Sequence, residues 1–382
     1  MITRIISPEI AASRKSLLLL GPRQVGKSTL IKSLKPDLEI NLADELEFLK
    51  YSSRPEAFRQ TIENNKPRSV YVDEIQRLPK LLNTIQAIID HDKKIKFFLT
   101  GSSARKLRRG EVNLIPGRLV NFFLGPLASG ELGHEMNTLK VLEYGSLPEV
   151  YLSTEKKENE RLLKSYSGNY LKEEIKAESL VRNLDSFARF FQEATLRATE
   201  FIDYTKLSSR SKISRHAIPR YFEILEDTLV GYRVFPFTET AVTNDLVKHP
   251  KFYFFDNGVY NGLLDNFTAS LDRVGRLSEQ LVFSQIKHSA WTQEKEAEIS
   301  SFRTRNGIEV DFIVKIKNQV FAIEVKNSAD LTSEDLNGLQ YFDQVFSQTK
   351  KKLFVFHMGK NEKKEGKIWI LPWQKGLQEM GL

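Results

Sequence analysis

Cysteine is absent from the 382 residues. Disulfides, thiolate metal sites and a cysteine nucleophile are therefore excluded. Histidine is scarce, with six in the chain, and none falls in the His-Glu-x-x-His spacing of a zinc protease. Long apolar runs are also missing. The most apolar stretch near the start, residues 17–20, is far short of the ~20 residues a membrane span needs. It also lacks the length and cleavage site of an export signal. A cytoplasmic protein with no membrane partner is expected. No repeat or low-complexity tract is present. Lysine and arginine number 57 against 49 acids, a net charge of +8. An excess of that size admits a polyanionic partner without requiring one. With 41% apolar and 28% charged residues, the mix is ordinary for a globular chain, and the length implies two or three domains.

Residues 17–30 read LLLLGPRQVGKSTL. They fit G-x-x-x-x-G-K-[ST] with Gly21, Gly26, Lys27 and Ser28, followed by Thr29. The spacing predicts a short strand over 17–20, a loop, and a helix from Ser28 to about Leu34. Backbone N–H groups of such a loop surround a phosphate, and the helix dipole adds to the attraction. Lys27 is then placed to reach the β/γ-phosphates and Ser28 to ligate Mg²⁺. A second apolar run, SVYVDE, ends in Asp73 and Glu74. Asp73 suits the Mg²⁺ of a bound nucleotide, and Glu74 suits polarisation of the attacking water. A third run, 95–100, leads into TGSS. Ser102 there is a candidate contact for the γ-phosphate or its water, a plain Gly-Ser turn being the alternative. Pro116-Gly117-Arg118 opens a further β-like run, LVNFF. Arg118 is a candidate for stabilising transition-state charge, across a subunit interface if the protein forms a homo-oligomer. Alternating strands and helices imply a parallel sheet covered on both faces, with ligand at the carboxyl ends of its strands.

The segments GPRQVGKSTL, YVDEIQRLP, LTGSSARKL, GRLVNFFLGPL and YGSLPEVY, in that order, resemble a large family of prokaryotic AAA-type ATPases. Members carry a C-terminal domain of unknown function related to PD-(D/E)XK nucleases. The resemblance covers nearly the whole chain. It implies an α/β fold with a P-loop NTPase parallel sheet of the AAA/ASCE type, binding and hydrolysing ATP.

Residues 155–181 are rich in Lys and Glu and read as a helical linker. Apolar residues Phe190, Phe191, Ala194, Ala198 and Phe201 recur at helical spacing. The stretch from Tyr204 to Phe237 resembles a winged helix-turn-helix. Its helices are expected at 204–209 and about 215–227, with Ser214 as the cap of the second. Lys206, Arg210, Lys212, Arg215 and Arg220 gather there and suit contact with DNA phosphates. Pro219 interrupts an otherwise regular second helix, so the unit reads equally as a protein-packing element.

Further on, a helix is expected from about Leu277, with Glu279 in its first turn. A hairpin follows at 307–326. Alternation of Ile308, Val310, Phe312, Val314 and Ile316 puts Asp311 on the opposite face. A two-residue loop at Lys317-Asn318 sets Asp311 across from Glu324, and a loop one residue later sets it across from Lys326. Two carboxylates on facing strands repel each other, and Mg²⁺ relieves such a pair. Glu279, Asp311 and Glu324-x-Lys326 resemble the PD-(D/E)XK nuclease pattern. That resemblance implies Mg²⁺ or Mn²⁺ on Asp311 and Glu324, water activation by Lys326, and completion of the site by Glu279. The alternative is a structural remnant with Glu324 and Lys326 as a charge pair.

The expected organisation is an ATPase domain over 1–150, a linker over 151–186, a winged helix over 187–250, and a nuclease-like domain over 251–382. Two functions follow. One is ATP turnover coupled to action on DNA, with metal-dependent cleavage. The other is an ATP-dependent regulatory or oligomerisation switch with an inactive nuclease-like domain.

Overall fold

The computed structural model describes residues 2–102, 117–166, 168, 184–238 and 246–382. Pro116, Ser103 of the TGSS segment and the 169–181 part of the expected linker lie outside the described residues. The chain divides into two compact units: Met1–Pro126 with Asp227–Leu229, and Leu127–Glu226 with Val230–Leu382.

In the first unit, β1 (Ser16–Leu20), β2 (Leu38–Asn41), β3 (Ser69–Asp73), β4 (Lys96–Gly101) and β5 (Leu119–Phe123) form one sheet. Its order is β2-β3-β4-β1-β5, and every pairing is parallel. β1 is buried at all five positions, as a central parallel strand between two helical layers must be. That explains its unbroken Ser-Leu-Leu-Leu-Leu sequence, which shows no alternation. Helices Pro55–Asn65 and Leu81–His91 turn Phe58, Ile62, Leu82 and Ile85 into the core shared with Val70, Val72, Phe97 and Leu99. A parallel five-stranded α/β sheet of this kind is consistent with a P-loop AAA fold.

The second unit contains two sheets. β6 (Gly231–Val234) and β7 (Lys251–Phe254) pair antiparallel. The expected boundary between residues 250 and 251 therefore severs a two-stranded sheet. The other boundary, expected at 150, falls well inside this unit: Leu127 N donates to Ser146 O at 2.8 Å and Ser129 N to Gln285 Oε1 at 2.8 Å. β8 (Ala297–Arg303), β9 (Glu309–Ile316), β10 (Gln319–Lys326), β11 (Lys351–His357), β12 (Lys363–Glu365) and β13 (Ile368–Pro372) form a six-stranded mixed sheet. Its core joins Val310, Ala322 and Val355 to Leu339, Phe342 and Phe346.

The basic segment contains helices Tyr204–Ser211 and Ala217–Asp227. Asp203 caps the first by accepting from Thr205 N and Lys206 N, and Lys212, left-handed at φ 55°, ends it. The second begins three residues after Ser214, whose carbonyl accepts from Ala217 N at 2.9 Å. The later start leaves Pro219 within the first turn, where its missing N–H costs no helical bond.

Candidate nucleotide site and C-terminal carboxylate cluster

Helix Lys27–Ser33 starts at Gly26, whose φ of 92° is left-handed and favours glycine. Gly21 serves differently. A Cβ there would stand 2.0 Å from Leu124 O, so the loop lies against β5's end only because that atom is absent. Lys27 is buried, and its Nζ donates to Gly21 O at 2.9 Å and Pro22 O at 2.8 Å. Arg4, which no sequence motif singles out, braces the loop from behind. It donates to Val25 O at 2.7 Å and Gly125 O at 2.8 Å.

Asp73 ends β3 at the same edge. Its Oδ2 accepts from Ser28 Oγ at 2.9 Å, and its Oδ1 accepts from Thr100 Oγ1. The carboxylate is thereby tied to the phosphate loop on one side and to β4 on the other. Such a hard oxygen pair, Asp73 with Ser28, fits the donor preference of Mg²⁺. Thr29 follows Ser28 in the first turn of the helix. Glu74 is left-handed, at φ 57°. Its Oε2 accepts from Gln76 Nε2 and lies 3.5 Å from Ser102 Oγ. Gln76 Nε2 also donates to Ser102 Oγ at 3.0 Å. Gln76 and Ser102 are both buried. Gly101 admits Gln76, since a Cβ there would meet its Oε1 at 2.9 Å. Ser102 is legible in the sequence and Gln76 is not. The only signal for Gln76 is a polar residue two positions past Glu74 in a short 3₁₀ turn.

Gly21, Gly26, Lys27, Ser28, Thr29, Asp73, Glu74 and Ser102 therefore come together at the carboxyl ends of β1, β3 and β4. Arg118 does not. It immediately precedes Leu119, which pairs with Ser16 at the start of β1, and a strand length of ~15 Å therefore lies between it and the loop. There it pairs with Asp90 at 2.5 Å. Within one chain Arg118 therefore stands apart from the loop, because parallel pairing fixes both strand starts at one edge.

In the second unit, the hairpin register runs from Gln319↔Ile316 to Ile323↔Phe312. It is the two-residue-loop register, and its next pair is Asp311 with Glu324. Asp311 Oδ2 accepts from Val325 N at 2.9 Å. Glu279 lies in the second turn of helix Val274–Thr292, not the first. The helix starts earlier than expected, because Val274 and Gly275 already continue its backbone pattern.

The three carboxylates of the expected nuclease-like site, Glu279, Asp311 and Glu324, lie against two ammonium groups. Lys326 Nζ lies 3.2 Å from Glu324 Oε1 and 3.1 Å from Asp335 Oδ1. Lys251 Nζ lies 2.8 Å from Glu279 Oε1, 2.6 Å from Glu309 Oε1 and 3.6 Å from Asp311 Oδ1. Tyr253 OH donates to Glu279 Oε1 at 2.5 Å. Burial raises the Glu279 carboxyl to about 7, and burial raises Asp311 as well. Burial and repulsion from Asp311 push Glu324 well above its ordinary range. Burial opposes the charge on Lys251, but Tyr253, Glu279, Asp311 and Glu309 outweigh it and hold the ammonium protonated. Among the described residues, no group of three or more His, Cys, Asp or Glu side chains is arranged to hold a metal ion. Glu279, Glu309 and Asp311, with a lysine ammonium between them, do not fit Mg²⁺. Glu309 belongs to no motif legible in the sequence, and Lys251 opens KFYFFDNGVYNGLL, which resembles the family's linking segment but gives the lysine no role. The one signal for Lys251 is a charged residue at the head of an unbroken apolar run, KFYFF.

All five basic residues of the expected helix-turn-helix segment, Lys206, Arg210, Lys212, Arg215 and Arg220, are exposed. Lys206 lies 3.8 Å from Asp203. Gln340, a further candidate for substrate contact, is exposed on helix Asn337–Val345.

Comparison with known proteins agrees with this division. Residues 13–133 match the model of an AAA domain. Residues 137–270 and 274–375 match two domains of unknown function, DUF8612 and DUF4143. No curated protein matches the chain. Among solved structures, the replication initiator DnaA bound to AMPPCP and single-stranded DNA is 10% identical, with a TM-score of 0.28 over 58% of this chain and 86% of that chain. The S. cerevisiae Hsp104–ADP complex is 12% identical, with a TM-score of 0.29 over 75% of this chain and 42% of that chain. No helix among the described residues is long and apolar enough to cross a membrane. The chain thus carries an AAA domain of the P-loop ATPase family, followed by a DUF4143 domain at its C-terminal end.

Proposed function

We propose that this protein is an ATPase that works as a nucleotide-driven, DNA-associated switch, with a C-terminal domain that is catalytically silent. The observation that carries the ATPase reading is the convergence of Lys27, Ser28, Asp73 and Glu74 at one sheet edge. Lys27 and the loop N–H groups bind the β/γ-phosphates of ATP. Ser28 and Asp73 hold Mg²⁺, which neutralises phosphate charge when bound. Glu74 takes the proton of the attacking water, and Gln76 with Ser102 orients its carboxylate until then.

The DNA reading is favoured by the exposure of all five basic side chains on and between two consecutive helices. Cleavage is left out of the reading because Lys251 stands among the carboxylates that a metal would need. The test is phosphate release from ATP with Mg²⁺, measured with and without duplex DNA, together with plasmid integrity. Hydrolysis that needs Glu74 and responds to DNA, on uncut plasmid, is expected. Hydrolysis absent in the parent overturns the ATPase reading, and nicking that needs Asp311 overturns the silent C-terminal domain.

A further inference from the structure

Lys251, Glu279, Glu309 and Asp311 come from three elements: β7, helix Val274–Thr292 and β9. Their side chains meet in a nearly dry place. The lysine side chain is 5% exposed, Asp311 14% and Glu279 16%. Phe201 covers the ammonium, with its ring centroid 5.0 Å from Nζ. Arg303 lies against the same ring and 3.5 Å from Glu309 Oε2.

An ammonium has three N–H donors and no acceptor. Here it faces three acid oxygens, two within hydrogen-bond reach and the third in ionic contact. A divalent cation entering the same space would meet a like charge that has no exit to water. Two further oxygens are engaged: Asp311 Oδ2 by Val325 N, and Glu324 Oε1 by Lys326. Glu324 Oε2, buried and without a hydrogen-bond partner, marks where a cation ligand is left over once the lysines have taken the rest.

We propose that Lys251 is the resident cation of this cluster: it takes the position a divalent metal would hold between Glu279, Glu309 and Asp311, and so excludes metal from the DUF4143 domain. The inference concerns these carboxylates alone and stands whether or not ATP is hydrolysed in the first unit. Removing the ammonium while keeping the stem leaves three converging carboxylates with only Arg303 beside Glu309 as a counter-charge, and their mutual repulsion becomes a drive to bind a divalent ion. Lys251→Met therefore creates a Mn²⁺ site that the parent lacks.

The experiment is a Mn²⁺ titration of the full chain, without nucleotide, in a Lys27→Ala background that weakens the first unit's site. Free Mn²⁺ is read by its EPR signal. The Lys27→Ala protein is expected to bind no Mn²⁺ through Asp311. Lys27→Ala with Lys251→Met is expected to bind one Mn²⁺, at least about tenfold tighter than the parent, and adding Asp311→Asn should abolish it. Mn²⁺ bound by the Lys27→Ala protein and lost on Asp311→Asn overturns the proposal, as does Lys251→Met that folds and gains no Mn²⁺. If Lys251→Met does not fold in metal-free buffer, Lys251→Gln replaces it. If neither folds, Mn²⁺ should restore folding to both, and failure to do so also overturns the proposal.

Discussion

Ser28 Oγ donates to Asp73 Oδ2 at 2.9 Å, across 45 residues of sequence. The two meet because β1 and β3 flank β4 and all three strands run the same way. Parallel strands bring their carboxyl ends to one edge, so a hydroxyl just past β1 and a carboxylate at the end of β3 converge on one cation-sized volume.

In the proposed site, phosphate binding and metal binding should be separable. Lys27→Ala should weaken ATP binding at least about tenfold with or without Mg²⁺, because a buried charge that faces the phosphates is removed. Asp73→Asn should weaken it only when Mg²⁺ is present. Fluorescent-nucleotide titrations with Mg²⁺ and with EDTA measure both. Equal losses for Asp73→Asn in the two buffers would remove the metal role from Asp73.

The proposed roles of Glu74 and Gln76 predict different losses of turnover. Glu74→Gln should keep nucleotide affinity and lose about 10²–10⁴ in turnover, the usual worth of a general base. Gln76→Leu keeps the volume but deletes the donor shared by Glu74 and Ser102. It should lower kcat about tenfold with KM unchanged, the signature of a group that acts through another. Steady-state kinetics decide. A rise in KM at constant kcat would place Gln76 in nucleotide binding instead.

The basic face makes a salt-dependent prediction. Reversing Arg215 and Arg220 to Glu should weaken binding to any duplex. It should also flatten the slope of log K against log salt by roughly two, one for each arginine that no longer neutralises a phosphate. Fluorescence anisotropy with a labelled duplex at several salt concentrations measures it. Unchanged affinity and slope would return the helix-turn-helix segment to a packing role.

Asp256 carries a pH dependence. Its carboxylate accepts from Ser146 N at 2.7 Å and Val259 N at 3.1 Å. Burial outweighs those bonds and raises it from 3.8 to about 6. The folded state then holds the proton more tightly than the unfolded chain does. Its stabilising contribution is complete below the unfolded value of 3.8 and is lost as pH rises to about 6. Asp256→Asn stays neutral throughout. Between those limits the parent should lose up to about 3 kcal/mol relative to Asp256→Asn. Urea melts of both proteins across that range test it, and a pH-independent difference between them would show that Asp256 does not titrate there.

Local sequence determined whatever depends on near neighbours in the chain. The phosphate loop was legible because Gly26's backbone, Lys27 and Ser28 act within one turn. β3 was legible because an apolar run ends at Asp73. The hairpin was narrowed to two registers, with the loop at Lys317-Asn318 or one residue later, since turn length sets pairing, and the folded sheet takes the first. The tertiary structure alone decided which distant charges meet. Strand direction carried Arg118 to the edge away from the loop, although its sequence context matched the other site residues. Gln76 became a partner of Glu74 only once β4 brought Ser102 and Gly101 beside it. Lys251, 28 residues from Glu279, reached the carboxylate cluster because β7 packs beside helix Val274–Thr292. Spacing shows which residues share a face, but a charge at the centre of a cluster depends on which strand lies next to it. That choice is made by burial of apolar surface across the whole unit, not by the residues that carry the charge.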